Sequence, residues 1–403
     1  LGDPGGATPP RPPRRVGRRL PPAAEAPAPV EKKSMTTVRV VDPDGNPVAG
    51  ARVFASPTFG GLDRGPIAPT ALGETGADGT VLVPRRDGEE KNKTPQLFAR
   101  VEGFGPALVD PLAEGNVKTA RLVKDDVPIR GRVLDIQGSP VAGATIGVVG
   151  IVWHPSQNLD AWLAALEKEK AAYSVQYDVM RDWSSDDVAY LFPPVVADEQ
   201  GRFTIRGVGR ERIASLVVSG PGIATTFEYA ATRAMPTRKY PDFPRQSQSR
   251  DVTYYGTDFD LVVGPGLTAV GRITDKDDDR PLGGVKVGTA DLFGNPLRTV
   301  WTTTDPDGRY RLAGIPPRTS FDEEQDLLVE AEKTSYLPAI RRLAPADGAK
   351  PIVMDFAIKR GVHARGRVVD KLSGKGIRAQ LSYYILADNP NRKEYPKYGT
   401  IRA

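Results

Sequence analysis

The sequence predicts an all-β chain of tandem antiparallel β-sandwiches, with a short helical insert in the second. A phrase recurs: "GNPVAGARVFA" at residues 45–55 returns as "GSPVAGATIGV" at 138–148. Around each copy, apolar and polar residues alternate, which is the period of a strand with one buried face. The chain also holds 42 glycines and 38 prolines, a balance that favours short strands and turns over long helices.

Its 403 residues are too many for one core and suit about three domains of ~100–150 residues each. Residues 1–35 carry nine prolines and Arg11, Arg14, Arg15, Arg18 and Arg19, with almost no large apolar side chains. Such a segment cannot bury enough surface to offset its ordering entropy and reads as an extended tether. An arginine-rich tether could instead hold an anionic membrane surface or nucleic acid, although blocks of charge are usually just solvated.

After the tether the phrase opens four times, at Thr37, Pro128, Thr268 and Val362, spacings of 91, 140 and 94 residues. Each copy has an alternating strand, an Asp/Gly turn, a small-residue step and a second alternating strand, read here as a half-buried hairpin. Three copies carry a second signature: "TGADGTVLVP" at 75–84, "ADEQGRFTIRGV" at 197–208 and "TDPDGRYRLAGIP" at 304–316. These are an Asp-containing turn with Gly and then a further strand. About 90 residues suits a seven-stranded sandwich. The boundaries expected are therefore sandwich one at 36–126, two at 127–265, three at 266–360 and a partial fourth at 361–403. The second unit must hold insertions, placed at 152–195 (helical) and 230–256 (a long loop). Linkers near 124–127, 264–267 and 359–361 are short.

The paired signatures resemble the carboxypeptidase regulatory-like domain family, whose fold is a transthyretin-like (prealbumin-like) β-sandwich. Val48, Ala49, Gly50, Ala51 and Val53 carry the match in the first unit, and Val141, Ala142, Gly143, Ala144 and Ile146 in the second. In the third they are Pro281, Leu282, Gly283, Gly284, Val285 and Val287, then Asp305, Gly308, Tyr310, Leu312, Gly314 and Ile315. The fourth unit departs most, losing the proline and the second signature. The resemblance implies mostly non-catalytic modules outside the cytoplasm, attached to peptidases, transporters, adhesins or envelope proteins; it implies a fold and not a reaction.

Residues 152–195 are the most unusual stretch. Leu159, Trp162, Leu163 and Leu166 fall on one face of a helix of about 15 residues starting near Asn158. The stretch also holds Trp153, His154, Tyr173, Tyr177, Trp183 and Tyr190. Flat aromatics stack on sugar rings or anchor a peptide; equally, the helix can cover an open sheet edge and use its aromatics for packing. In 230–256, Arg233, Arg238, Lys239, Arg245 and Arg250 interleave with Tyr240, Phe243, Tyr254 and Tyr255, a mixture able to grip an anionic polysaccharide or simply to face water. The candidate binding residues are thus Trp153, His154, Trp162, Tyr173, Tyr177, Trp183, Arg238, Lys239 and Tyr240.

Other chemistries find little. The chain has no cysteine and two histidines, so thiolate or multi-imidazole metal sites are excluded. The acidic clusters at 42–45, 275–280 and 305–308 lack the calcium loop's terminal Glu and sit at expected turns. No nucleophile elbow, phosphate loop or zinc-helix motif occurs. Arg39, Arg132 and Arg272 occupy the opening-strand positions where a lysine would be needed for a Lys–Asn isopeptide crosslink, so none is expected. Most of the formal net charge of +5 lies in the first 35 residues, leaving the folded part nearly neutral and without a face for nucleic acid. No apolar run approaches the ~20 residues that span a bilayer.

The expectation is a non-catalytic spacer without cofactor or metal, in the cell envelope or secreted. Its candidate partners are polysaccharide, cell wall or a protein ligand, and it can be anchored to a membrane by segments outside this sequence. Two alternatives stand beside it: a carbohydrate or peptide binder using the aromatic insert, and a regulatory region of a larger catalytic or signalling protein, since the chain opens on Leu1.

Overall fold

The structure is a computed structural model. It describes residues 35–56, 68–84, 96–109, 117–184, 186–241, 251–289, 300–317, 326–330, 336–343, 350–361, 366–371, 373–377, 380–384 and 398–402. Residues 1–34 of the expected tether, together with Phe243, Arg245 and Arg250, lie outside these residues, while Met35 already opens the first strand.

The first unit comprises β1 (Met35–Val41), β2 (Arg52–Ala55), β3 (Thr70–Glu74), β4 (Thr80–Pro84), β5 (Leu97–Arg100), β6 (Phe104–Gly105), β7 (Ala107–Leu108), β8 (Val117–Arg121) and β9 (Val123–Lys124). One sheet runs β4-β1-β8 and the other β3-β2-β5-β7, while β6 and β9 pair beside them. β1 is antiparallel to β4 and parallel to β8. Val38 and Val40 of β1 point inward with Val53, Val83, Ala99, Ala120 and Leu122, whereas Arg39 faces out. This is the alternation that the sequence displays.

The second unit repeats the plan and enlarges one sheet. Its elements are β10 (Ile129–Asp135), β11 (Thr145–Trp153), α1 (Asp160–Glu169), α2 (Ala172–Val179), β12 (Arg181–Ser184), α3 (Asp186–Leu191), β13 (Val195–Val196), β14 (Arg202–Ile205), β15 (Arg212–Ser219), β16 (Thr226–Ala231), β17 (Arg238–Pro241), β18 (Asp251–Tyr255) and β19 (Asp258–Val263). The small sheet is β14-β10-β19, with β10 and β19 parallel. The large one runs β12-β11-β15-β16-β18-β17, and β13 also pairs with β11.

The third unit contains β20 (Leu267–Asp275), β21 (Lys286–Thr289), β22 (Trp301–Thr303), β23 (Arg309–Ile315), β24 (Asp326–Glu330), β25 (Ala339–Arg342), β26 (Ile352–Val353) and β27 (Phe356–Ile358). Its sheets are β22-β21-β24-β25 and a second one of four strands, with β20 flanked by β23 and, in parallel, by β26 and β27. Beyond it, β28 (Gln380–Tyr384) and β29 (Tyr398–Arg402) form an antiparallel pair.

One expectation needs correction. The opening phrase is not a hairpin: its two strands belong to opposite sheets in all three sandwiches. After the Asp turn the chain makes a single bridge back (Val41 to Pro47, Leu134 to Pro140, Thr274 to Pro281) and then crosses the core. The proline has no N–H with which to continue the ladder, and the small residues after it let the backbone pass between layers. The second signature locks this crossing. The glycines Gly79, Gly201 and Gly308 adopt φ of +72°, +73° and +72°. A Cβ on Gly201 would come within 2.4 Å of the Val133 carbonyl and 3.3 Å of the Pro140 Cβ. Gly79 and Gly308 sit the same way against Pro47 and Pro281. The two signatures recur together because they touch.

The residues expected as a long loop at 230–256 also differ: β17 and β18 pair antiparallel within them and extend the large sheet. Tyr240, Val252 and Tyr254 alternate into the core and hold these strands in place.

Candidate functional site

α1 is ten residues long, shorter than the periodicity suggested, because Lys170 turns left-handed (φ +51°) and the chain restarts as α2. Asn158 Oδ1 accepts the Asp160 N–H at 2.7 Å, and the Leu159 N–H donates to Glu211 at 2.9 Å. Leu159, Trp162 and Leu166 are fully buried against Val152, Ile213, Tyr240 and Tyr254, which form a second core beside the sandwich. The Trp162 ring meets Tyr254 edge-on, with centroids 5.0 Å apart.

Around this core lies a charged margin. Glu167 accepts from the Tyr240 hydroxyl at 2.5 Å and from Lys170 at 2.5 Å, and it pairs with Arg238. These contacts hold the Glu167 carboxyl below its usual range, the Lys170 hydrogen bond being the largest cause. Lys239 pairs with Asp251 at 3.2 Å. Exposed pairs of this kind contribute only ~0–1 kcal/mol. A buried tryptophan contributes ~3–5 kcal/mol, so apolar packing holds the helix.

Six of the nine candidate residues fall in two places. Trp162, Arg238 and Tyr240 gather at the α1 core, with Lys239 one residue away on β17. Trp153 and Trp183 lie on β11 and β12 and pack against the main core of the second sandwich. Trp183 is 3% exposed and Trp153 half-buried. His154 is half-buried, its Nδ1 2.7 Å from the Ser156 hydroxyl. Tyr173 and Tyr177 stand on α2, and their side chains lie outside the described residues.

Trp183 reaches further than its own unit. Its ring lies 4.9 Å from that of Phe98 on β5 of the first sandwich, and Phe98 stacks on Phe54 at 5.2 Å. Phe98 is fully buried and belongs to the core of the second unit. The linker beside it is equally engaged. Asp125 accepts the N–H groups of Gly207 at 2.7 Å and Gly209 at 3.1 Å, Asp126 forms a two-pronged pair with Arg210, and Arg212 donates to the carbonyls of Pro106 and Val208 at 2.5 and 3.1 Å. Burial lowers the Arg212 guanidinium to about 10.

At the next junction the Thr225 N–H donates to the Gly314 carbonyl at 2.9 Å, Gly266 N–H to Gly222 at 3.1 Å, and Ala224 N–H to Gly264 at 2.9 Å. Within the third sandwich, Arg360 at its end donates to the buried Asp275 carboxylate at 2.7 Å, and Tyr336 donates to the same oxygen at 2.6 Å. Sequence reasoning missed Phe98 and read Asp275 only as part of a turn, since nothing local marks a partner 85 residues away.

The acidic clusters form turns. Asp42, Asp135 and Asp275 each accept the backbone N–H two residues on, at 2.9 Å. Among the described residues no group of three His, Asp or Glu is arranged to hold a metal ion, and no helix is long and apolar enough to cross a membrane.

No family model matches the chain, and no curated protein matches it. Among solved structures, the Bacillus anthracis TIE protein is 10% identical over 81% of this chain and 51% of that one, with a TM-score of 0.19; this chain thus spans about half of its length. A streptococcal ancillary pilin is 11% identical over 81% of this chain and 99% of that one, with a TM-score of 0.20. Shaft pilin SpaA from Lactobacillus rhamnosus GG is 9% identical over 59% and 99%, with a TM-score of 0.22. Similarity at this level carries nothing about what the present chain does.

Proposed function

We propose that this chain is a non-catalytic, extracytoplasmic spacer of the carboxypeptidase regulatory-like kind, a stiff series of sandwiches that holds whatever flanks it at a set separation. The observation that supports this is the state of the linkers. The first two junctions between repeats are stitched by backbone hydrogen bonds or buried polar contacts, and the first is also packed by Phe98 against Trp183. Flexible linkers would leave relative motion as the default; interfaces of this kind remove it. In this reading the aromatic insert of the second sandwich serves as a rivet to the first. The resemblance of the repeated signatures supports the location outside the cytoplasm.

The absence of cysteine makes the test clean. Thr119→Cys and Ala313→Cys, on exposed positions of the first and third sandwiches, accept spin labels for a distance measurement. A single narrow distribution is expected, widened by Asp125→Ala combined with Arg212→Leu. A broad distribution in the otherwise unaltered chain would overturn the spacer reading.

A further inference from the structure

The linker between the first two sandwiches roofs a groove of about 400 Å³, within the ~300–1,000 Å³ range of ligand sites. Its walls come from four separate segments: Asp126 and Arg130 from the linker and β10, Arg210 and Glu211 from the turn before β15, Arg233 after β16, and Thr257 before β19. We propose that this groove binds a neutral sugar residue presented on a polysaccharide. The proposal is independent of the spacer reading and uses a place other than the aromatic insert.

Charge balance selects the ligand class. Two of the three guanidiniums are closely matched, Arg210 by Asp126 and Arg233 by Glu211 at 3.1 Å and Asp160 at 2.5 Å, while Arg130 stands 3.9 Å from Asp258. A free anion or cation entering between Arg210 and Arg233 would find their countercharges already taken. A hydroxyl group finds the opposite situation. A guanidinium has five N–H donors and a carboxylate about four acceptor sites, so paired groups retain both kinds of valence for a ligand that donates and accepts together. Arg130, Arg210 and Asp126 keep roughly half of their side-chain surface in water, so that capacity is reachable. Val127, Pro128 and Ala234 supply a small apolar surface for the C–H face of a pyranose ring.

One further detail sets these groups in place. Glu211 takes φ of +57°, a left-handed conformation unfavourable for a residue with a Cβ. In that pose its carboxylate caps Leu159 and pairs with Arg233, so the wall of the groove is fixed before a ligand arrives.

The test follows amide NMR spectra of the full chain with maltotriose, cellotriose, mannotriose and chitotriose, each at about 5 mM. At least one is expected to shift the amides of Asp126, Val127, Ile129, Arg130, Arg210, Glu211, Arg233 and Ala234. Ala234→Trp fills the groove from an exposed position and Arg130→Ala removes a loosely paired wall; each should weaken binding about tenfold or more with Tm unchanged. Silence with all four sugars, binding unchanged in both variants, or shifts produced only by glucuronate or phosphate would each overturn the proposal.

Discussion

The hydroxyl of Thr304 stands between Val285 and Leu282, accepting the Val285 N–H at 2.9 Å and donating to the Leu282 carbonyl at 2.7 Å. In the first sandwich Thr75 does the same for Ala51 and Val48, at 2.9 and 2.7 Å. Both hydroxyls are buried and close the small-residue step where the chain crosses between sheets. The second sandwich has Ala197 there, and the Ala144 N–H reaches the Val141 carbonyl directly over a longer 3.4 Å. Thr304→Val should therefore cost ~1–3 kcal/mol by leaving a buried donor and acceptor unpaired. Ala197→Thr should gain ~0.5–1.5 kcal/mol. Urea denaturation of both variants measures this, and a loss of stability in Ala197→Thr would contradict the equivalence of the three sites.

Gly201→Ala meets two penalties together, a left-handed φ and a carbonyl 2.4 Å from the new carbon. A cost of at least ~1–2 kcal/mol is expected, larger than the ~1 kcal/mol at an ordinary glycine. A melting temperature within error of the unaltered protein would show that the two signatures do not interlock.

The junction carries a coupling prediction. Phe98→Ala and Trp183→Ala should each destabilise by ~3–5 kcal/mol. In the double variant the interaction term should be ~0.5–1.5 kcal/mol, because the rings touch. Strict additivity would mean that they pack independently.

Asp275 is fully buried, and its carboxyl is held down to about 2, first by the Tyr336 hydroxyl, then by the Asp277 N–H and Arg360. Its folded value lies below the ordinary ~3.9 of an unfolded chain, so its contribution is complete above that value. It is lost as pH falls from about 4 towards 2. Asp275→Asn should flatten the stability of the third sandwich across this window, as read by denaturant titrations from pH 7 downward. An unchanged pH slope would remove the carboxylate from the account.

Adding calcium or EDTA should leave the melting temperature unchanged. The acidic turns direct their carboxylates at their own backbone N–H groups, as Asp42 does with Asp44 and Asn46 and Asp198 with Gln200 and Arg202. A calcium-dependent rise in Tm would show that an ion competes successfully for them.

Much of the fold is legible because strand alternation and turn chemistry are local. The Asp turns and the inward Val38 and Val40 follow directly from the residues. Which sheet a strand joins is not local: Val53 alternates as it would in a hairpin, and only the crossing at Pro47 sends β2 to the opposite layer. Thr75, Ala197 and Thr304 did leave a trace, each four residues before the turn glycine. The aromatic insert was legible as a helix, yet the environment of Trp183 depends on Phe98, 85 residues earlier, which no periodicity reports. The groove under the linker was invisible for the same reason, since Asp126, Arg210 and Arg233 meet only in three dimensions.

In every sandwich the opening strand lies parallel to the closing one, as Thr37 to Val41 run beside Val117 to Arg121. The chain therefore enters at one end of that ladder and leaves at the other. Tension on the two ends slides the strands past each other along their length, loading the rungs simultaneously in shear instead of peeling them one by one. Each module is thereby built to yield late under force, with a lifetime set by its unfolding rate.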